Sequence, residues 1–306
     1  MARPLHLGIL EADPVDEDLA AAHGNYPAMF RRLLETAAVD LAADSALDTH
    51  RTALDTHRAG TRESVQESVD THRAPPSGAA PPQGPGAPAV PAPVTSSWPV
   101  WRGVLPSGPD ACDAWLVTGS RNSVNDDAPW IRQLEAFVRA LHAARRPLVG
   151  VCFGHQLVAR ALGGAVERAA AGWGVGTHRY EVVARAPWMV PARDTLALRA
   201  SHQDQVVRVP EAARPYLRSD FCPLAGFTIG VHVLTMQPHP EFAAPYTRAL
   251  LDRRRLLLGE RCWTRAVASL EEGVDGPAVG RWILRFLGAA RENRSGRRLP
   301  DRAGSA

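Results

Sequence analysis

Residues 147–156 read PLVGVCFGHQ, and the interpretation of the fold turns on them. The first five residues form a short apolar run, as expected of a strand buried on both faces. Cys152 follows, fenced by Gly150 and Gly154. The next segment, GHQLVARALG, has helical apolar spacing and is stopped by Gly163 and Gly164. A strand, a tight turn carrying a nucleophile between glycines, and a helix make up the nucleophile-elbow pattern. Side chains at the glycine positions would collide as the strand reverses into the helix. The turn lifts the sulfur clear of the sheet, and the helix aims the positive end of its dipole at it. On its own, the same arrangement also suits a cysteine used as a small buried hydrophobe.

The flanking sequence extends the pattern. LHLGIL at 5–10 predicts a first buried strand, followed by a loop through 11–26. Residues 27–42 have helical spacing at Met29, Leu33, Leu34 and Ala37, with Pro27 in the first turn. A strand is expected within 99–105 and another at AWLVT, 114–118, ending in the loop GSRNSVND. A helix over 129–144 presents Ile131, Leu134, Phe137, Val138 and Leu141 on one face. Beyond the elbow come strand-like segments: THRYEVV, TLALRA, DQVVRV and FTIGVHVLTMQ. Helical segments close the domain near 246–258 and 278–289. Early alternation of strand and helix predicts an α/β fold, a mostly parallel sheet covered by helices on both faces. Reactive groups in such sheets gather at the carboxyl ends of the strands, where Cys152 stands.

Between 43 and 97 the texture changes. LDTHR occurs at 47–51 and 54–58, VDTHR at 69–73, and a Pro/Gly/Ala tract follows. Such a segment buries too little apolar surface to offset its ordering entropy, so a disordered low-complexity insertion is expected. His50, His57 and His72 are too sparse for a metal-binding tract. One domain built from 1–42 and 98–290, with a frayed tail over 291–306, is therefore expected.

Composition narrows the function. The net charge of +3 is too small to call for nucleic acid or an acidic membrane as partner. Every basic side chain is arginine, a bias that carries no functional reading. Cys112, Cys152, Cys222 and Cys262 are scattered without a CxxC pair, so neither a zinc site nor a disulfide framework is indicated. MARPLHLGIL does not resemble a secretory signal, and no apolar run approaches a membrane span. A cytoplasmic protein with free thiols and without metal or cofactor is expected.

A thiol nucleophile needs a base, and the base needs an orienting group. Among the histidines, His6 falls inside the first strand, and His155 points along its helix toward a packing role. His239 ends the apolar segment VLTMQPHPEF, between Pro238 and Pro240. Glu241 stands two residues on, the spacing that puts both side chains on one side of extended backbone. Without the elbow, His239 and Glu241 would read as a surface ion pair at a strand end. With it, Cys152, His239 and Glu241 make a candidate nucleophile, base and orienting carboxylate.

GVCFGHQ together with QPHPEF resembles the class I, triad-type glutamine amidotransferases, in particular stand-alone members similar to the amidotransferase half of GMP synthase. LVTGSRNSVND at 116–126 resembles the family's oxyanion loop, ASHQDQV at 200–206 its S-H-x-D-x-V stretch, and GILEADPVDEDLAAAHGNYPAMFRRLL the opening of the stand-alone members. The likeness covers most of the chain outside 43–97 and the last residues. It implies a flavodoxin-like three-layer fold. It also implies attack of Cys152 on the side-chain amide of glutamine, with the oxyanion held by N–H groups of Phe153 and of Ser120 or Gly119. Gly119-Ser120-Arg121 stands where many members carry a glycine pair and proline, which leaves the second donor open between Ser120, the first choice, and Gly119. Gln156, Ser201, His202 and Gln203 are implied in recognising the substrate's α-amino and carboxylate groups. Trp173 suits a pocket wall and a packing role equally.

Three functions are compatible with these residues: a glutaminase feeding ammonia to a separate synthetase chain, a free-standing hydrolase of γ-glutamyl bonds, and a non-catalytic binding module. No G-x-x-x-x-G-K-[ST] loop is present, so acceptor chemistry would lie on another chain. Intact Cys152, His239 and Glu241 count against the third.

Overall fold

The computed structural model describes residues 3–60, 91–294 and 296. Its strands are β1 (His6–Glu11), β2 (Val94–Pro99), β3 (Ala114–Val117), β4 (Leu148–Val151), β5 (Ala165–Arg168), β6 (Gly174–Val182), β7 (Thr195–His202), β8 (Asp204–Arg208), β9 (Ala213–Arg218), β10 (Gly226–Ile229) and β11 (Val233–Met236). The helices are α1 (Glu17–His23), α2 (Tyr26–Gly60), α3 (Pro129–Ala143), α4 (Phe153–Ala161), α5 (Ala244–Arg253), α6 (Arg255–Leu258), α7 (Glu260–Ala268) and α8 (Gly276–Arg294). A nine-stranded sheet runs in the order β2-β1-β3-β4-β11-β10-β9-β6-β7. Pairings from β2 through β11 are parallel, and those from β11 onward to β7 are antiparallel. β5 and β8 form a separate antiparallel pair.

The parallel strands read as apolar runs because helices cover both of their faces. Side chains alternate between two cores. Leu7, Ile9, Leu116, Val149, Val151, Leu234 and Met236 pack against Phe30 and Leu34 of α2 and Trp282, Ile283 and Phe286 of α8. Leu10, Trp115, Val117, Leu148 and Val233 pack against Ile131, Leu134 and Val138 of α3 and Leu157 and Val158 of α4. Burying one such side chain contributes about 1.5–3 kcal/mol. The two faces together form the three-layer α/β arrangement expected from the alternation of strand and helix. Among the described residues no helix is long and apolar enough to cross a membrane.

Several boundaries differ from the sequence expectations. Helix α2 does not end at Ala42 but runs to Gly60, taking in the first two LDTHR copies. Leu47 and Leu54 are seven residues apart, about two helical turns, and the Ala, Leu and Arg residues of this segment are good helix formers. The third copy and most of the Pro/Gly/Ala tract lie outside the described residues, as does the tail after 296. The second strand is Val94–Pro99 and not 99–105; the chain turns into a 3-10 segment at Val100–Arg102. This edge strand carries Thr95, Ser96 and Ser97, so its polarity hid it. FTIGVHVLTMQ is two strands, β10 and β11, reversed at Gly230, which has φ 53°. Segment 11–26 contains the short helix α1, and α7, β5 and β9 add elements the pattern did not resolve.

Candidate active site

Four neighbouring parallel strands, β1, β3, β4 and β11, deliver the site at their carboxyl ends. Cys152 follows β4 directly, and its N–H donates to Met236 O at 2.9 Å, extending the pairing with β11 by one bond. It adopts φ 53° and ψ −106°, a left-handed conformation that a residue with a Cβ takes at a cost of about 1–3 kcal/mol. Both flanking glycines are sterically required. A Cβ on Gly150 would lie 2.7 Å from Gly154 O, and one on Gly154 would lie 2.3 Å from Val117 O. Helix α4 thus packs backbone to backbone on β3 and β4, and Gly154 N–H donates to Thr118 O at 3.2 Å.

His239 comes from the segment after β11. Its N–H donates to Arg199 O at 2.8 Å, which ties the segment to β7. The ring stacks on Phe242 with centroids 3.8 Å apart and planes 10° from parallel. Nδ1 meets Glu241 Oε1 at 2.7 Å, and both side chains are buried. Cys152 acts on the same ring, and with Nδ1 committed to Glu241, Nε2 is the nitrogen left to serve the sulfur. Burial disfavours the charged ring, but the Glu241 carboxylate and then Cys152 outweigh it, and the His239 pKa is pushed up to about 10. Phe242, present in the quoted QPHPEF, had no role in the sequence reading; here it fixes the ring plane.

Gly119 sits against both partners. A Cβ there would lie 2.8 Å from His239 Cε1 and 3.7 Å from Cys152 Cβ. Phe153 opens α4, so its N–H has no intrahelical acceptor. In the loop after β3, Asp13 Oδ2 accepts from the Arg121 N–H and Ser120 Oγ from that of Asn122. The N–H groups of Gly119 and Ser120 carry no bond among the described residues. Ser120 turns its hydroxyl away to donate to Ala12 O at 3.1 Å.

A cleft of about 490 Å³ opens over Cys152 and takes in Ser120, Gln156, Ser201, His202 and Gln203. Gln156 Nε2 donates to Asp204 O at 2.8 Å and Gln237 Oε1 at 3.0 Å, leaving its Oε1 without a protein partner among the described residues. Ser201 Oγ accepts from Arg254 Nη1 at 2.8 Å. Burial pushes the His202 pKa down to about 3, so the ring is neutral at physiological pH; Nδ1 contacts Asp204 O at 3.1 Å and Nε2 is buried without a partner. His155, by contrast, is spent on Thr235 Oγ1 at 2.9 Å and Leu224 O at 3.1 Å beneath the sheet.

Of the two roles open to Trp173 the structure shows the pocket wall, and beside it stand arginines to which the sequence reading gave no role. Trp173 lines the cleft, with the Arg254 guanidinium 5.7 Å from its ring centroid. Arg121, Arg253 and Arg168 also line it, but Arg121 pairs with Asp13 and Asp16, Arg253 with Asp16 and Asp18, and Arg168 lies 3.7 Å from Asp204. Among the described residues Arg254 has no carboxylate partner. They come from the end of α5, the loop after β3, and the end of β5 with the loop that follows it. The other buried thiols differ from Cys152 in setting. Burial pushes Cys112 up to about 11 and Cys222 up to about 12, and all four cysteines are free. No group of three or more metal-ligating side chains occurs among the described residues.

A thiol at a strand-to-helix turn, an imidazole beside it and a carboxylate behind the ring form an arrangement able to carry nucleophilic acyl transfer. Known proteins bring the same class into view. Residues 108–253 match the family model of class-I glutamine amidotransferase. Gamma-glutamyl peptidase 3 of Arabidopsis thaliana is 31% identical over 152 residues, covering 47% of this chain and 60% of that protein. The glutamine-hydrolysing GMP synthase of Aeropyrum pernix is 32% identical over 39% of this chain and 23% of its own length. A glutamine amido transferase structure from Methylobacillus flagellatus shares the fold, with a TM-score of 0.56 at 23% identity over 70% of this chain and 89% of that one. The chain carries a domain of the class-I glutamine amidotransferase family.

Proposed function

We propose that the chain hydrolyses the γ-amide bond of a γ-glutamyl compound through a thioester on Cys152, glutamine being the smallest such substrate. The observation that carries this reading is the buried line from Cys152 through His239 to Glu241, with Nδ1 2.7 Å from Oε1. The raised His239 pKa makes the ring a strong enough base to take the thiol proton as the sulfur attacks. Attack on the γ-carbonyl carbon forms a tetrahedral oxyanion. The Phe153 N–H and that of Ser120 or Gly119 receive it; losing one such donor costs roughly 10²–10³ in rate. His239 protonates the departing nitrogen, which leaves as ammonia or an amine. The ring, now neutral, takes a proton from water, and hydroxide attack on the thioester releases glutamate. Glu241 keeps Nδ1 protonated throughout, so Nε2 is the atom that exchanges protons.

The cleft supplies groups for the glutamyl head. Arg254, without a carboxylate of its own, suits the α-carboxylate, and the free Gln156 Oε1 and the neutral His202 suit hydrogen-bond donors such as the α-ammonium. A volume of about 490 Å³ lies within the range of roughly 300–1,000 Å³ typical of small-molecule sites. That size leaves space for a leaving group larger than ammonia, which favours γ-glutamyl peptides beside glutamine. Names among the relatives point both ways, one a gamma-glutamyl peptidase and one a glutamine-hydrolysing GMP synthase. The second reading, ammonia supply to a separate synthetase chain, rests on the latter alone.

The test is glutamate release by the purified chain from glutamine and from γ-glutamyl dipeptides, alongside Cys152→Ala. Turnover of dipeptides by the isolated chain, lost in the variant, supports the proposal. Turnover of glutamine only when a partner is added favours the second reading, and full activity of Cys152→Ala dismisses both.

A further inference from the structure

Strands β1 and β3 are parallel neighbours, with Leu10 opposite Val117, so the loops after them leave the sheet side by side. Those loops are cross-linked at every step. Ala12 N–H donates to Thr118 Oγ1 at 3.0 Å, and Ser120 Oγ donates to Ala12 O at 3.1 Å. Asp13 Oδ2 then accepts from both the N–H of Arg121 at 3.2 Å and its Nε at 2.9 Å. Arg121 reaches further, to Pro14 O at 2.8 Å and Asp16 Oδ1 at 2.9 Å. The Asp13 side chain is only 8% exposed, whereas that of Arg121 is 49% exposed. One buried carboxylate oxygen therefore fixes a peptide N–H and the side chain of the same residue, immediately after Gly119 and Ser120.

We propose that Asp13 is a positioning residue of the acyl-transfer site, acting through Arg121 to hold the 119–121 turn with its free N–H groups toward the oxyanion. The inference rests on the function proposed above, and it adds a residue that touches neither the sulfur nor the ring. Proteins usually fix such turns with a residue of restricted backbone. Here the turn is Gly119-Ser120-Arg121, in which glycine adds no backbone restraint of its own, and the restraint comes from an adjacent loop. A charge-assisted pair of bonds from one carboxylate is strong enough for that task. Oxyanion donors act through geometry, and a displacement of about 1 Å can cost 10²-fold in rate. Asp13 therefore affects the chemical step and leaves ground-state binding of the glutamyl head, which uses other parts of the cleft, nearly unchanged.

The experiment compares Asp13→Asn and Arg121→Ala, singly and together, with the wild-type chain. Two readouts are taken: hydrogen exchange at the Arg121 amide by NMR, and kcat and KM on a γ-glutamyl anilide. Asparagine keeps the shape of the buried group, and Arg121 is half-exposed, so at least one variant retains the fold; a circular dichroism melt checks each. We expect Arg121 amide exchange in Asp13→Asn to rise at least tenfold, kcat to fall roughly ten- to hundredfold with KM within about twofold, and the double variant to match the single ones. Unchanged exchange in the folded variant overturns the clamp, whether or not the chain turns over substrate. Faster exchange with unchanged kcat overturns its role in the reaction. A wild-type chain that never acylates Cys152 overturns the proposed function instead, and the exchange measurement still decides the clamp.

Discussion

Replacing Glu241 with glutamine removes one charge and changes almost no volume. In the wild-type chain the His239 pKa stands near 10 against an ordinary 6.5, the net of a burial penalty and two attractions, Glu241 ahead of Cys152. At about 1.36 kcal/mol per unit, the shift corresponds to roughly 5 kcal/mol in favour of the charged ring. Because the folded pKa is raised, this stabilisation is fully present below pH 6.5 and is lost as pH rises through about 10. An opposite charge at this range is worth about 1–3 units, and the buried contact of 2.7 Å belongs at the upper end. In Glu241→Gln the alkaline limb of kcat/KM should therefore move down by about three units. The amide can also donate to Nδ1, which puts the ring proton on Nε2 and blocks acceptance from the thiol. A fall in kcat of roughly 10²–10⁴ should follow. The assay is the pH profile of glutamate release between pH 6 and about 10.5, with buffer ionic strength held constant. An alkaline limb and a kcat that both match wild type would refute the assignment of Glu241 to the ring.

Gly154→Ala forces a Cβ to within 2.3 Å of a β3 carbonyl, so the variant should lose about 3 kcal/mol or more in urea denaturation. Cys152→Gly should abolish hydrolysis yet stabilise the chain by about 1 kcal/mol, since glycine accepts φ 53° without strain; destabilisation would show that the turn is relaxed. Excising 43–97 should destabilise the sheet edge, because it deletes part of α2 and most of β2. Joining Gly60 to Pro91 through a short linker should instead preserve the melting temperature and turnover, and loss of either would show that the removed segment is part of the domain.

The centre of the fold was legible because the inner parallel strands β1, β3, β4 and β11 are buried on both faces and their sequences are largely apolar. Gly150 and Gly154 were legible for the same physical reason they are needed, since both mark a close approach of backbone to backbone. His239 and Glu241 could be paired because two residues on extended backbone suffice to bring them together. Strand β2 was hidden, since an edge strand with a solvated face carries Thr95, Ser96 and Ser97 in place of an apolar repeat. The extent of α2 was hidden too, because Ala43–Gly60 reads as low complexity while its composition still favours helix. Arg254, Trp173 and the Asp13–Arg121 pair reach the cleft from loops and helix ends distant in sequence, and local pattern cannot bring such residues together. The likeness to glutamine amidotransferases pointed to Gln156, Ser201, His202 and Gln203. The cleft contains all four, with Gln156 and His202 already bonded to the Asp204 carbonyl and Ser201 to Arg254.

The most direct measurement is the intact mass of the chain, acid-quenched during turnover of a γ-glutamyl substrate and followed by peptide mapping. One glutamyl group should be found on the peptide containing Cys152. It should be absent from Cys152→Ala and should persist longer in His239→Asn, where water is no longer activated. A chain that turns over substrate with Cys152 unmodified at every quench time, or that carries the glutamyl group on Cys262, would contradict the account.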